Sequence, residues 1–117
     1  MKNNLLKNFI CLSSSVKVYI PTTDNVNESV DTTKYVEKTA KLLSECFGGA
    51  NSESIIGYWM SENFGLVTEK NIRVSASCTS ESLEKHMEKV ILLCKEIKKD
   101  LHQEAVALEV NNEMYLI

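Results

Sequence analysis

The chain has 117 residues, of which 44% are hydrophobic and 25% charged, and this composition is typical of one globular domain rather than of a fibrous or disordered chain. The formal net charge is -3 and Arg73 is the single arginine, so a dedicated surface for duplex nucleic acid is not expected. Four widely spaced cysteines form no C-x-x-C motif and predict free thiols, which favours a reducing cytoplasm.

Residues 1–14 are predicted to form an arm ahead of a single domain that spans residues 15–117. Apolar residues are frequent in the arm, but Lys7 and Asn8 interrupt them, so neither a signal peptide nor a membrane span is indicated. We expect a packed arm or extra element, such as a short helix or strand that joins a subunit interface, in preference to a surface anchor.

Residues 15–21 are predicted to form a half-buried strand, because apolar and polar side chains alternate until Pro21. The polar, acidic segment 22–33 that follows is expected to be a surface loop, which ends by capping a helix at Asp31 or Thr32. A binding lid is the alternative to a plain solvated loop, because connections of this length are often functional.

Residues 33–46 are predicted to form the first helix, since apolar residues recur along one side at helical spacing. The positions expected to face the core are Val36, Ala40, Leu43 and Phe47. Gly48 and Gly49 follow, and glycine commonly ends a helix because it adopts a positive φ without steric penalty. A glycine pair also lets a ligand approach the backbone closely.

A β-hairpin is predicted next, with strands over residues 55–60 and 66–76 and a turn between them. Side chains alternate across a strand, so one face of the second strand should carry Thr68, Lys70, Ile72, Val74 and Ala76.

The second helix has the strongest periodicity in the chain and is predicted to begin after a cap at Ser80. Its apolar stripe consists of Leu83, Met87, Val90, Cys94, Ile97 and Leu101. Two strands over residues 104–110 and 113–117 complete the chain. They are joined by Asn111 and Asn112, which tolerate the positive φ of a two-residue hairpin turn.

The order strand, helix, strand, strand, helix, strand, strand predicts an α+β domain with the split βαβ arrangement of ferredoxin-like folds and one added strand. Both helices should cover one face of an antiparallel sheet. The other face would carry a mixture of apolar and charged side chains, which are Lys17 and Tyr19, residues from the strand of Tyr58 and Trp59, and the set Val67, Glu69, Asn71 and Arg73. Such a face usually requires a cover, so the sequence predicts a homodimer or a larger homo-oligomer.

Four segments, KVYIPTTDNVN, FGGA followed by GYW, GLVTEK, and QEAVALEVNNEMYLI, together resemble a family of small uncharacterised proteins encoded in bacterial, archaeal and mobile-element genomes. The resemblance covers about residues 16–117 and rests mainly on the FGGA and GYW pattern. The family has no established catalytic residues, so the resemblance implies no site residue in this chain.

Catalytic and metal-binding motifs of recognised strength are not found. Eight helical residues turn by about 800°, so side chains that recur at this spacing cannot converge on one zinc ion. This argument excludes a zinc site built from Cys78, His86, Cys94 and His102. Glu69 with Glu104 or Glu109 could act as an acid and a base, although glutamates on an open sheet face are the preferred interpretation.

Aromatic and basic side chains near the hairpin predict a binding surface, because flat rings beside cations suit a nucleotide-like ligand. The candidate ligand-binding residues are Gly48, Gly49, Tyr58, Trp59, Lys70 and Arg73, in a site between subunits. The competing interpretation makes Trp59 and one tyrosine core or interface aromatics.

The sequence therefore favours a cytoplasmic, non-enzymatic protein that needs no metal or cofactor and binds a small anionic ligand. Sequestration of a nucleotide-type signal in defence or counter-defence is the specific hypothesis. One alternative is a protein-interaction module or inhibitor that uses the acidic segment 24–31. A small dimeric ferredoxin-like enzyme is the other.

Overall fold

The computed structural model of the protein describes residues 4–24 and 28–117 and contains an antiparallel sheet of five strands in the order β4-β5-β1-β6-β7. In chain order the elements are β1 (Ser14–Pro21), β2 (Thr23–Asp24), β3 (Glu28–Ser29), α1 (Thr33–Phe47), β4 (Asn51–Ser61), β5 (Gly65–Cys78), α2 (Ser80–Asp100), β6 (Ala107–Val110) and β7 (Glu113–Leu116). Both helices pack on one face of this sheet and share one core with it. The architecture is the predicted ferredoxin-like α+β fold, extended at one edge by β7.

The core forms because β1 lies at the centre of the sheet and turns every second side chain toward the helices. Val16, Val18 and Ile20 are fully buried, whereas Lys17 and Tyr19 point to the other face and are half-buried. The predicted strand over residues 15–21 is thus confirmed, with one residue added at its start.

Helix α2 supplies the other half of the core, and its predicted stripe is confirmed for every position except Met87, which is only partly buried. The buried residues on and directly after this helix are Leu83, Val90, Leu93, Cys94, Ile97 and Leu101. Its cap was assigned one residue too late. Thr79 has extended backbone angles and its hydroxyl accepts a hydrogen bond from the Ser82 backbone N–H at 3.1 Å, so Thr79 rather than Ser80 is the N-cap.

Helix α1 buries two residues, Tyr35 and Thr39, that its apolar spacing did not predict. The buried positions are Tyr35, Thr39 and Leu43, while Val36, Ala40 and Phe47 are only partly buried. Hydrogen bonds make the polar members of this face acceptable: Thr39 Oγ1 donates to the Tyr35 carbonyl at 2.7 Å, and the Tyr35 hydroxyl donates to Asp100 at 3.0 Å. The predicted helix is confirmed and Leu43 is fully buried, but Tyr35 and Thr39 are buried more deeply than the neighbouring Val36 and Ala40.

The ends of α1 agree with the sequence. Thr32 is the N-cap residue, and the Asp31 carboxylate accepts a hydrogen bond from the Thr33 backbone N–H at 2.9 Å. Gly48 follows the last helical residue with a φ of 92°, and its backbone N–H donates to the Ser44 carbonyl.

Strands β4 and β5 form a hairpin that is longer than predicted, because the polar residues 51–54 also pair. The register is unbroken from Asn51 opposite Ser75 to Ser61 opposite Gly65, whereas β1 pairs with β5 only as far as Pro21 opposite Asn71. Residues 56–70 are consequently a two-stranded projection, here named the distal ribbon. It gives the molecule an elongated shape of 54 × 26 × 19 Å.

The terminal hairpin has the predicted turn. Asn111 and Asn112 have φ values of 51° and 68°, as a two-residue loop between antiparallel strands requires. The Asn111 side-chain oxygen also accepts a hydrogen bond from the Ser15 backbone N–H at 3.0 Å, which ties this turn to the start of β1.

Two segments differ from expectation. The segment 22–33 contains the short antiparallel pair β2 and β3, which the polar sequence did not predict, and residues 25–27 lie outside the described part of the chain. The arm is not packed within one chain: Leu6, Phe9 and Ile10 are 61%, 71% and 89% exposed, respectively. The arm does begin with a short 3-10 helix, Asn4–Leu6, which was one of the expected forms, but this helix has no buried residues within the subunit.

The packing of α2 predicts a sharp contrast between neighbouring positions. Val90→Asp places a charge without a partner at a fully buried site and should cost about 4 kcal/mol or more, enough to abolish soluble folded protein. Lys89→Asp, at an exposed site, should leave folding almost unchanged. Circular dichroism and thermal melting measure both effects. Equal behaviour of the two variants would show that the helix phase is wrong.

Burial also predicts the reactivity of the thiols. Cys11 is exposed whereas Cys94 is buried, and burial raises the pKa of Cys94 to about 11. Roughly one Cys94 thiol in a thousand is then ionised near pH 8, so alkylation of the native chain should be confined to accessible thiols such as Cys11. Mass spectrometry after iodoacetamide treatment, with and without denaturant, measures this. Native labelling of Cys94 as fast as Cys11 contradicts the core described above.

Candidate functional site

The sheet face that is turned away from the helices, here named the open face, collects the polar side chains of the central strands. The strand register assigns residues to it, because directly paired residues lie on the same face. Its members on β4, β5, β1 and β6 include Lys17, Tyr19, Glu53, Gly57, Trp59, Glu69, Asn71, Arg73 and Glu109.

A hydrogen-bonded cluster occupies the centre of this face. The Glu109 carboxylate forms an ion pair with the Lys17 ammonium at 3.5 Å. It also accepts a hydrogen bond from the Tyr19 hydroxyl at 2.9 Å. Arg73 donates through Nε and Nη2 to Glu53, and its guanidinium lies 5.9 Å from the centroid of the Tyr19 ring. These hydrogen bonds, chiefly those to Glu53, raise the pKa of Arg73. Each of the two cations is thus matched by a carboxylate within the chain.

A concavity of about 180 Å³ lies beside the cluster, where the open face meets the segment after α2. Glu69, Asn71 and Tyr19 contribute its polar side chains, together with Gln103. Gln103 is committed to structure, because its amide donates to the Thr23 and Leu101 carbonyls at 2.9 Å. The Glu69 carboxylate, by contrast, has neither a hydrogen bond nor an ion pair among the described residues and is half-buried.

The β4 side of Glu69 is open because its cross-strand partner is Gly57, which has no side chain. A Cβ at Gly57 would lie in ordinary contact, 3.7 Å from the Glu69 backbone oxygen, so the fold does not require glycine there. Trp59 lies on the same face, two residues closer to the turn of the hairpin, where it is opposite Val67 and 44% exposed. A continuous strip therefore runs from the Trp59 ring over Gly57 to the polar groups of Glu69 and Asn71.

The structure divides the hairpin members of the predicted site between two faces. Trp59 and Arg73 lie on the open face, whereas Tyr58 and Lys70 lie on the helix-side face. Trp59 and Arg73 are also separated along the sheet, since Val67, the partner of Trp59, precedes Arg73 by six residues, or about 20 Å. Neighbours in a strand necessarily point to opposite faces, so these four side chains cannot converge within one chain.

The two predicted glycines lie at the other end of the hairpin. Gly48 and Gly49 line a groove of about 390 Å³ with Leu12, Phe47 and Ser77, among others. Eight residues of β4 separate Asn51, at this end, from Trp59, which corresponds to about 26 Å. A role of the glycines in ligand binding stays a prediction, and in a single chain it would be a site separate from Trp59.

Lys70 lies in a third groove, of about 460 Å³, between the hairpin and the start of α1. Hydrogen bonds from Thr33 lower the pKa of Asp31, whose carboxylate accepts from both the backbone N–H and the hydroxyl of that residue. A side-chain anion thus already occupies the N-terminus of α1, which disfavours a second anion there.

Other candidate chemistry is weaker. Glu69 and Glu109 are about 20 Å apart along the strands, so they are not a catalytic pair. Within residues 4–24 and 28–117, no three His, Cys, Asp or Glu side chains come together as a metal site. The His86 ring meets Phe47 edge-on at 5.8 Å, and its buried Nδ1 has no hydrogen-bond partner among the described residues.

The sequence proposed Trp59 as a ligand-binding residue and, by the period of two, placed Glu69 and Asn71 on the open face without naming either as a binding residue. Strand pairing, which the sequence does not give, adds Gly57 and Trp59 to that face. None of the described helices is long and apolar enough to cross a membrane.

Comparison with known proteins adds information on the fold. Neither a protein-family model nor a curated protein matches the sequence. A phage SAM lyase in complex with S-methyl-5'-thioadenosine is similar in structure, with a TM-score of 0.63 and 20% identity over 89% of this chain and 88% of that chain. Its apo state gives a TM-score of 0.64, 22% identity and coverages of 90% and 88%.

A second type of similar structure is CutA from Pyrococcus horikoshii, with a TM-score of 0.52 and 16% identity over 83% of this chain and 80% of that chain. At these identities the similarity establishes a shared fold. One of the proteins that share the fold is an enzyme with a bound nucleoside.

Proposed function

We propose that the protein binds a small nucleoside-type molecule on its open face, in a site that is completed by another copy of the chain. The observation that carries this proposal is the strip from the exposed Trp59 ring to the unpaired Glu69 carboxylate. Its two ends differ in chemistry in the same way as the two ends of a nucleoside.

The strip matches a nucleoside group by group. A purine or pyrimidine ring can stack on an indole, and base–aromatic stacking is worth about 1–3 kcal/mol. Ribose hydroxyls can donate to the Glu69 carboxylate, and the Asn71 amide can both donate and accept. Gly57, between the two ends, leaves the backbone accessible to the ligand.

Site volume supports the second part of the proposal. The concavity at Glu69 measures about 180 Å³, whereas pockets for ligands of this size usually enclose about 300–1,000 Å³. A wall from another subunit would supply the missing enclosure. The distal ribbon is the natural contributor, because an isolated two-stranded hairpin is marginal in water and this one exposes Tyr58, Met60 and Phe64.

The phage lyase that resembles this chain was solved with S-methyl-5'-thioadenosine, which is a nucleoside. This supports the ligand class as a proposal for the present chain. The anionic character predicted from the sequence is less well supported, since Arg73 and Lys17 already face Glu53 and Glu109. A phosphate near Arg73 would have to displace Glu53.

Binding with release of the intact ligand, that is sequestration of a nucleotide-type signal in defence or counter-defence, is the preferred activity, because no catalytic motif is present. Cleavage of the ligand is the second candidate. It is favoured by the resemblance to a lyase and by the half-buried Glu69 carboxylate, a group that can act as a general base.

One experiment tests the proposal and separates the two candidates. The full chain is titrated calorimetrically with adenosine, S-methyl-5'-thioadenosine, S-adenosylmethionine, AMP and a cyclic nucleotide, and bound material is then recovered by heating and identified by chromatography. Intact recovery indicates sequestration, and an altered product indicates an enzyme. Absence of binding to every member of the panel overturns the proposal.

The role of Glu69 predicts a specific loss of affinity. Glu69→Gln removes a charge-assisted hydrogen bond, worth about 1.5–3 kcal/mol, and should weaken binding of a nucleoside roughly tenfold or more. Glu88→Gln is the matched control, because Glu88 is exposed on α2, which packs on the opposite face of the sheet. Calorimetry with the tightest ligand of the panel gives the comparison. Equal affinities in the two variants would remove Glu69 from the site.

Arg73 separates a nucleotide from a nucleoside. If a phosphate displaces Glu53, Arg73→Ala should weaken AMP binding about tenfold or more and leave adenosine binding unchanged. Lys70→Ala tests the second predicted cation, alone and in combination. Melting temperatures are recorded alongside, since Arg73 also contacts Tyr19. Unchanged affinities in all three variants withdraw both residues from the site.

A further inference from the structure

The concavity beside the strip has a definite hydrogen-bonding polarity, which follows from where its own donors are directed. Tyr19 and Gln103 line it, and each carries donor hydrogens. The Tyr19 hydroxyl donates its only hydrogen to Glu109 at 2.9 Å. The Gln103 amide donates to the Thr23 and Leu101 carbonyls, both at 2.9 Å, which uses both of its N–H bonds. These two side chains can therefore offer a ligand only their oxygens, as acceptors.

The end of α2 holds Gln103 in this orientation. His102, directly after the C-cap residue Leu101, has a φ of 51°, a left-handed conformation that residues other than glycine seldom adopt. The Gln103 backbone N–H then donates to the Lys98 carbonyl at 3.0 Å, which closes a Schellman motif. The backbone and the side chain of Gln103 are thus both fixed by the fold. Its amide cannot turn its N–H groups toward a ligand without breaking two hydrogen bonds.

Backbone donors in the lining are also restricted. Pro21 has no N–H, and the Val106 N–H donates to the Ile117 carbonyl at 3.2 Å. The Asn71 amide is a further side-chain donor, but its Nδ2 would lie only 3.8 Å from a Cβ at Gly57. This nitrogen is therefore beside the strip. The strip offers a donor and the concavity offers acceptors.

The charge of the concavity has the same sense as its polarity. Glu69 is the acidic residue of the lining, and the described residues that line the concavity include no Lys, Arg or His. Lys17 and Arg73, which lie on the open face, are each matched by another carboxylate. Lys70 follows Glu69 in the sequence and therefore points to the opposite face. The Glu69 carboxylate is left as an unbalanced negative charge beside neutral acceptors.

We propose that the concavity selects a positively charged hydrogen-bond donor, so that the preferred ligand is a nucleoside with an amino group on its sugar end and not a nucleotide with a phosphate there. The inference rests on the proposed function, which stacks the base on Trp59 and directs the sugar toward Glu69. An ammonium group brings three N–H donors and a charge opposite to that of the carboxylate. A phosphate would add acceptors and negative charge where both are already present. Gln103 is thereby a specificity-determining residue, because its fixed amide presents only an acceptor.

Matched derivatives of adenosine test this preference. One series carries an amine, a hydrogen or a phosphate in place of the 5'-hydroxyl, and the other carries the same three groups at the 3' position. At the position that enters the concavity, the amine should bind the full chain about tenfold or more tightly than hydrogen, and the phosphate about tenfold or more weakly than the hydroxyl of adenosine. Calorimetry near neutral pH gives the affinities. Quenching of Trp59, the single tryptophan, verifies that the base is stacked.

Variants of Glu69 assign the preference to this carboxylate. Glu69→Gln should abolish the advantage of the amine over hydrogen, and Glu69→Lys should reverse the order, so that the phosphate binds more tightly than the amine. Glu88→Gln, on the exposed side of α2, is the matched control and should keep the native order. Melting temperatures of all three variants verify that they are folded.

The outcomes separate this inference from the proposed function. If adenosine binds but the amine has no advantage at either position, or if its advantage persists in Glu69→Gln, the inference is overturned and the proposed function stands. A native chain that binds a phosphate derivative more tightly than the matching amine also overturns the inference alone. If neither adenosine nor any derivative binds, the inference and the proposed function are overturned together.

Discussion

A mismatch in strand length at the centre of the sheet determines much of this structure. Strand β1 ends at Pro21, opposite Asn71 of β5. Strand β5, however, already begins at Gly65, six residues before Asn71. Between Gly65 and Lys70, β5 therefore has no β1 residue paired with it, and only β4 and β5 continue as a two-stranded hairpin. Two strands with apolar side chains on both faces are not expected to persist alone in water, and the proposed second copy of the chain would supply their cover.

This requirement links the fold to the candidate site. The strip of Trp59, Gly57, Glu69 and Asn71 begins where β1 stops, so it lies at the junction between the supported sheet and the distal ribbon. Nearer the base, the open face is consolidated by the contacts of Glu109 and Arg73 with their neighbours. The groups that remain available for a ligand are those that the subunit does not use itself.

Much of the fold could be predicted because local signals were strong and agreed with one another. The stripe of α2, the glycine after α1 and the Asn111-Asn112 turn each follow from a backbone preference or a simple period. The burial of Thr39 on α1 could not be predicted from apolar spacing, because it depends on a hydrogen bond from the Thr39 hydroxyl to the Tyr35 carbonyl. Residues 51–54 pair as a strand although they are polar, because the neighbouring strand supplies their register.

The site was harder to predict, because it depends on strand pairing as well as on residue type. Tyr58 and Trp59 are adjacent in sequence and lie on opposite faces, whereas Trp59 and Glu69 share a face although they are ten positions apart. The sequence-based prediction therefore placed Tyr58, Trp59 and Lys70 in one site because they are close in the sequence. In the folded chain, Tyr58 and Lys70 lie on the opposite face of the sheet from Trp59. The length of the hairpin, which moves Gly48 away from Trp59, was a second reason.

The central claim is that another copy of the chain covers the distal ribbon, and sedimentation equilibrium at micromolar concentrations tests it most directly. The account predicts a mass of two or more times 13.2 kDa for the native chain. Met60→Asp, which places a charge on the exposed ribbon without touching the core, should sediment as a folded monomer. A native chain that is folded and has a mass of 13.2 kDa at every concentration contradicts the account.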